Sequence, residues 1–170
     1  ILFFGDMMLD RQVRKLISDN HSCSYPFSLV DPFLDGADLK IANLEGPITG
    51  NASVSLPNNG MRFTQPIECL SDLGSRFHGI SLANNHIVDF GAAGFNESKK
   101  NLQMAGIGYF GDYNNSAGTY YIREVKGIKI AFVGWNEFSR SGTSRVISDI
   151  ERVRQEVDFV VVMPHWGEEY

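Results

Sequence analysis

The sequence predicts an α/β layered fold, and three observations carry that expectation. Short apolar runs alternate with segments of helical periodicity, in the coarse order βα, βα, βα, a hairpin, then αβ. The first run, Ile1-Leu2-Phe3-Phe4, is wholly apolar, as for a strand buried on both faces. Several runs end in polar side chains, at the sheet edge where open α/β folds place their ligands.

The elements follow in order. The first strand ends in Gly5-Asp6, which puts a carboxylate at its C-terminal end. Asp10 is positioned to cap a helix in which Val13, Leu16 and Ile17 share one face. Tyr25-Pro26-Phe27 and Asp31-Pro32-Phe33 read as turns, with one helical turn between Phe27 and Phe33. From Asp38 to Glu45 polar and apolar residues alternate, which predicts a second strand ending in Glu45 and stopped by Gly46-Pro47. Thr49 to Asn59 reads as a surface loop, and Met61-Arg62-Phe63 as a short strand. Pro66 suits the first turn of a helix through Ile67, Leu70 and Leu73.

Gly79 to Leu82 is the third core strand, followed by Ala83-Asn84-Asn85-His86-Ile87-Val88-Asp89. A helix is expected from Gly94 to Ala105, with Phe95, Leu102 and Met104 inward and Gly106 closing it. Ile107 to Phe110 is a strand. Thr119 to Ile122 and Ile128 to Ala131 form a hairpin around Gly127. The polar loop Ser139 to Ser144 leads to a helix from Arg145 to Gln155. The last strand, Asp158 to Met163, delivers Pro164-His165-Trp166.

At 170 residues the chain reads as a single domain with room for a substantial core. Hydrophobic residues make up 43% and charged residues 21%, which excludes a disordered chain. The formal charge of −5 argues against nucleic acid as a partner, although an acidic protein can bind anions through metals. No apolar run approaches a bilayer span, and we expect no signal peptide within these 170 residues. Because the chain opens inside a strand and stops just past another, we expect a fragment trimmed at both ends. Cys23 and Cys69 are too few for a disulfide framework and lack metal-site spacing. A single disulfide in an exported protein is open, and two unpaired buried thiols are the favoured expectation. Asn51-Ala52-Ser53, Asn96-Glu97-Ser98 and Asn114-Asn115-Ser116 match the glycosylation sequon, a pattern common by chance.

Asp6, Glu45, Asn85 with His86, and His165 are all metal-capable or phosphate-capable groups at strand ends. Parallel strands would bring them to one edge, where carboxylates, an amide oxygen and imidazoles suit a pair of divalent cations acting on a phosphoryl group. Each alone has a plainer reading as a cap, a turn or a core histidine. Gly106-Ile107-Gly108-Tyr109-Phe110-Gly111 has dinucleotide-like glycine spacing, but it lies on a helix end and a strand, whereas that fingerprint needs strand, turn, then helix. No Gly-x-Ser-x-Gly elbow occurs, and His165-Trp166-Gly167-Glu168-Glu169 is not a zincin helix.

Four stretches carry a resemblance along the whole chain: Gly5-Asp6-Met7-Met8-Leu9, Asn43-Leu44-Glu45-Gly46-Pro47-Ile48-Thr49, Ala83-Asn84-Asn85-His86-Ile87-Val88-Asp89-Phe90-Gly91 and His165-Trp166-Gly167-Glu168-Glu169-Tyr170. They resemble the successive signatures of the CapA family, the bacterial capsule and poly-γ-glutamate synthesis proteins also called PgsA. That family is similar to the calcineurin-like metallophosphoesterases, so the resemblance implies a layered α/β/β/α sandwich, here an N-terminal fragment lacking its last strands.

It further implies two divalent metals (Mn, Fe, Zn or Mg) held by Asp6, Glu45, Asn85 and His165, with Glu45 in the bridging place. His86 would be proton donor or substrate contact, beside Asn85. Arg11 would meet an anionic substrate, although read by itself it is an exposed charge at a helix start. The implied activity is a metal-dependent phosphoester hydrolase in capsular polymer assembly. The alternative is a non-catalytic component that binds or exports an anionic polymer. Capsule-synthesis subunits and a phosphorylated substrate or anionic polymer are the implied partners. The implied location is the cell envelope, extracytoplasmic and membrane-tethered, with the cytoplasm as the alternative. Two departures from the pattern stand out. Asp6-Met7-Met8 replaces the usual Asp-x-His, and the family's Gly-x-His-Pro-His segment would fall beyond Tyr170. The ligand set is therefore expected to be incomplete, with weak or absent metal binding in this stretch by itself.

Overall fold

A computed structural model describes residues 1–53 and 61–167. Part of the expected loop ending at Asn59, and the final Glu168-Glu169-Tyr170, lie outside the described residues.

The first sheet is parallel, with strand order β1 (Leu2–Met7), β2 (Lys40–Leu44), β5 (Gly79–Ser81), β6 (Gly108–Phe110). Its connections carry the helices α1 (Arg11–Asp19), α2 (Asp31–Leu34), α3 (Leu70–Arg76) and α4 (Gly91–Met104). A two-stranded ribbon, β3 (Ile48–Thr49) with β4 (Gln65–Pro66), is also parallel. The second sheet has the order β7 (Tyr120–Val125), β8 (Ile128–Asn136), β9 (Phe159–His165), with α5 (Ser144–Val153) crossing from β8 to the parallel β9.

Alternation along the strands assigns the layers. On β2, Ala42 and Leu44 face the helices together with Ile17, Leu73 and Leu102. Ile41 faces the second sheet, where it packs with Phe110, Ile130 and Phe132. On β8, Ala131 and Val133 turn the other way, onto Val146 and Val153 of α5. The result is the α/β/β/α sandwich that the family resemblance implied.

Glycine lets the sheets approach closely. The ring of Tyr121 on β7 covers Gly108, where an added Cβ would lie 2.3 Å from the ring. At the other end Gly111, Gly134 and Ala83 meet: a Cβ on Gly134 would fall 2.7 Å from the Cβ of Ala83 and 2.9 Å from the Cα of Gly111.

Several expectations are corrected. β1 is not buried on both faces. Phe4 packs on Phe77 and Phe3 on Phe132, yet Phe3 stays 46% exposed because β1 is an edge strand paired only with β2. β2 is buried throughout despite its alternating polar residues, because it lies between two strands and two layers. Residues 61–63 form no strand; the pairing shifts to Gln65–Pro66 against Ile48–Thr49, so the expected loop begins with a strand residue. Leu16 is 45% exposed and Met104 67% exposed; each sits at the edge of its helix face, past the sheet that covers Ile17 and Leu102. α4 starts earlier than expected, at Gly91. The hairpin turns tightly through Lys126 and Gly127, both at positive φ (52° and 82°), so Ile122 pairs with Ala131 and Val125 with Ile128.

The cysteines are not two free thiols. Cys23 and Cys69 form a disulfide with Cα atoms 5.2 Å apart. The turn leaving α1 and the buried start of α3 bring together two residues 46 apart in sequence, a proximity that spacing alone does not reveal.

Candidate functional site

The expected strand ends do meet, but they come from two sheets rather than from one edge. Asp6 lies near the end of β1, just after the β1–β2 register shifts between Phe3 and Asp6. That irregularity sets Asp6 opposite Asn43. Asn43 donates through Nδ2 to Asp6 Oδ1 (2.7 Å). Across the gap, His165 at the end of β9 places Nδ1 3.4 Å from Asp6 Oδ1 and Nε2 2.9 Å from Asn85 Oδ1. One imidazole thus bridges the first strand and the turn after β5. The His165 hydrogen bond holds the Asp6 carboxyl below the usual carboxylate range; partial burial opposes this, and Asn43 and the charges of His165 and His86 reinforce it.

Glu45 follows β2. Its backbone N donates to Met7 O (3.1 Å), and its carbonyl accepts from Gln65 Nε2 (2.6 Å). Gln65 Oε1 also accepts from Leu9 N (2.5 Å), so one buried amide braces the ends of both β1 and β2. The Glu45 carboxylate stands 4.0 Å from His86 Nε2.

The turn after β5 is built by Asn84. Its buried amide donates to Leu44 O (2.9 Å) and Asn43 Oδ1 (3.1 Å), and its Oδ1 accepts from Ile87 N (2.8 Å). This anchored turn leaves Asn85 exposed toward His165 and sends His86 inward. His86 Nδ1 lies 2.8 Å from Asp89 Oδ2, and its ring packs 4.4 Å from that of Phe63. Asp89 Oδ2 in turn accepts from Phe63 N (2.7 Å), which fixes the carboxylate that orients the imidazole.

The outcome is a cleft of about 400 Å³ lined by Asp6, Glu45, Asn85, Phe138, His165, Trp166 and Gly167. His86 sits behind it, against Glu45. Arg11 is not brought to it. It starts α1 at positive φ (55°) and lines a separate depression with Arg14, Lys15 and His21. Met8, at the position of the missing imidazole, accepts from Asp10 N through its sulfur (3.2 Å).

Sequence reading missed Asn43, Gln65, Asn84 and Asp89 as supports. Asn43 had a usable signal: it lies two residues before Glu45 and two after Ile41, on the inward face of an alternating strand. Gln65 had none, since only the fold brings β4 beside Leu9.

The donor chemistry suits a divalent cation, with Asp6, Asn85 and His165 as the residues that would hold it and Glu45 adjacent. Among the described residues, however, no three of His, Cys, Asp and Glu gather so as to hold a metal ion.

Fold and cleft together define a class: a layered α/β/β/α protein with carboxylate, amide and imidazole groups meeting from both sheets. The chain belongs to the bacterial capsule synthesis protein family PGA_cap, whose model matches residues 1–170. It is 26% identical over 190 aligned positions to the PGA biosynthesis protein CapA of Bacillus subtilis (strain 168), covering 99% of this chain and 49% of that protein. Its identity to the capsule biosynthesis protein CapA of Bacillus anthracis is 25%, covering 98% of this chain and 46% of that protein. The chain thus spans about half the length of these curated relatives. Among solved structures, NAD nucleotidase (NadN) of Haemophilus influenzae superposes with a TM-score of 0.55 at 16% identity, over 87% of this chain and 29% of that one. That likeness shows a shared fold.

Proposed function

We propose that this domain cleaves a phosphoester during capsular polymer assembly, with a divalent metal bound at the cleft. The observation that supports this best is the bridging His165, which ties Asp6 of one strand to Asn85 of another beside Glu45. A bound cation would neutralise phosphoryl charge and lower the pKa of a water. Asp6, Asn85 and His165 would hold it, while His86, oriented by Asp89 and set behind the cleft against Glu45, would serve as the proton donor. The test uses the intact protein with Mn²⁺ or Fe²⁺ and a generic phosphodiester. Asp6→Ala and His86→Ala should each abolish turnover, and activity untouched by both would overturn the reading.

A second reading, a non-catalytic component that binds or exports an anionic polymer, is favoured by the turning of Met8 toward Asp10 N. It predicts polymer binding that survives chelation. We assign the domain to the extracytoplasmic side of the cell envelope, alongside capsule-synthesis subunits. The Cys23–Cys69 disulfide supports this, since such bonds persist in oxidising compartments. Among the described residues no helix is long and apolar enough to cross a membrane. Thiol labelling of the protein in intact and lysed cells tests the assignment: free cysteines in freshly quenched lysate would contradict it.

A further inference from the structure

The mouth of the cleft carries two large aromatic rings that phosphoester cleavage does not itself require. Phe138 is 52% exposed and Trp166 65% exposed, and both line the same cleft as Asp6, Glu45, Asn85 and His165. They are held in place. Trp166 meets Trp135 edge to face at 5.7 Å, and the next residue, Gly167, donates its backbone N to Glu137 Oε2 (2.8 Å). The Phe138 ring lies 5.8 Å from the His165 ring, and its backbone N donates to Asn136 Oδ1 (3.1 Å). Asn136 is itself buried and donates its backbone N to Asn115 Oδ1 (2.8 Å). Rings fixed in this way lose little freedom when a ligand stacks on them.

Charge narrows the ligand further. Among the described residues no lysine or arginine lines the cleft. Beyond the phosphoryl group, recognition is therefore left to flat apolar surface and to acceptor oxygens. Among the described lining residues a polymer carrying many carboxylates would find no lysine or arginine to pair along its length. A heteroaromatic ring offers a stacking face, and its attached sugar offers hydroxyl donors for Glu45, Asp6 or Asn85. A cleft of about 400 Å³ falls in the range of small-molecule sites, roughly 300–1,000 Å³.

The geometry points to an aromatic stacking subsite, formed by Phe138 and Trp166, that takes the base of a nucleoside phosphoester as the substrate class of this cleft. The inference rests on the hydrolase reading above. In the reaction a water oxygen forms a new bond to phosphorus and the ester P–O bond breaks. The nucleoside leaves as an alcohol with one proton of that water, and the other proton stays with the phosphate.

The experiment compares adenosine monophosphate with ribose phosphate, which carries the same phosphoester without the base, using intact Mn²⁺-loaded protein. The KM for adenosine monophosphate should be about tenfold lower, in line with a stacking contribution of roughly 1–3 kcal/mol per base. Trp166→Ala and Phe138→Ala should each raise the KM for adenosine monophosphate several-fold more than the KM for ribose phosphate, and Trp166→Phe should restore the difference between the two substrates. A separate titration in EDTA follows quenching of tryptophan fluorescence by adenosine monophosphate, which should saturate and be lost in Trp166→Ala. Equal KM values for the two substrates, or an adenosine monophosphate KM unmoved by both alanine variants, would overturn the subsite. If neither substrate turns over, the hydrolase reading fails instead, and the quenching titration decides the subsite by itself: saturable binding that needs Trp166 upholds it, and no binding overturns it.

Discussion

Asp10 shows how one side chain can organise a region without touching the cleft. It is fully buried and accepts from Arg11 N (2.8 Å), Thr64 N (2.9 Å), Ser53 Oγ (2.5 Å) and Arg14 Nε (3.2 Å). It therefore caps α1 and ties it to the approach to β4. Burial pushes its carboxyl up, but the bonds from Ser53, Thr64 and Arg11 and the charge of Arg14 outweigh this and hold it below its ordinary value of 3.8. Asp10→Ala would strand those donors, and we expect a loss of about 3 kcal/mol by chemical denaturation. Since the folded carboxyl titrates lower than the unfolded one, its stabilisation is complete above pH 3.8 and lost as pH falls below it. Asp10→Asn should flatten that acid limb. His78 provides a second residue-scale test. Its Nδ1 accepts from Lys40 N (3.2 Å), and burial, then Lys40 and Arg123, depress its pKa from 6.5. The neutral form is the folded one, so thermal stability should fall as pH drops through 6.5, and less so in His78→Gln.

At the scale of elements, the packing of one sheet on the other decides whether a site exists. Asp6, Glu45 and Asn85 belong to the first sheet, and His165 with both rim aromatics belongs to the second. Their meeting depends on the close contact of Gly111, Gly134 and Ala83, the last of which lies two residues before Asn85. Gly134→Ala has no space to enter without parting the sheets there. We expect a cost of about 2 kcal/mol in a urea titration, with His165 drawn back from Asp6 as the sheets part. An unchanged midpoint would mean that the sheets are less tightly apposed at this end than the structure shows. The same reasoning explains why β1 and β9 tolerate exposure: each is an edge strand, and each still delivers its last polar side chain to the cleft.

Across the whole molecule, the disulfide closes the longest covalent constraint, joining the α1 exit to α3 across 46 residues of chain. In the chain-entropy account a loop of that length contributes about 4 kcal/mol, and measured values run about 2–4 kcal/mol. Denaturation with and without reductant, or of Cys23→Ala/Cys69→Ala, should show a loss in that range.

Much of this was legible beforehand. Apolar runs and helical faces announced the α/β class and the element order, because burial imposes periods of two and 3.6 residues on the sequence; the order of the layers came only from the family resemblance. Polar residues at the strand ends announced Asp6, Glu45, Asn85 and His165, because carboxyl ends are where a sheet leaves the core. The sequence by itself thus determined the fold class, the element order, the family likeness and the principal polar groups of the cleft. Only the tertiary structure decided the pairing of Cys23 with Cys69, the bracing by Gln65 and Asn84, the separation of Arg11 from the cleft, and the meeting of two sheets at His165. Those depend on contacts between residues distant in the chain, which local periodicity does not encode and which close packing alone brings about.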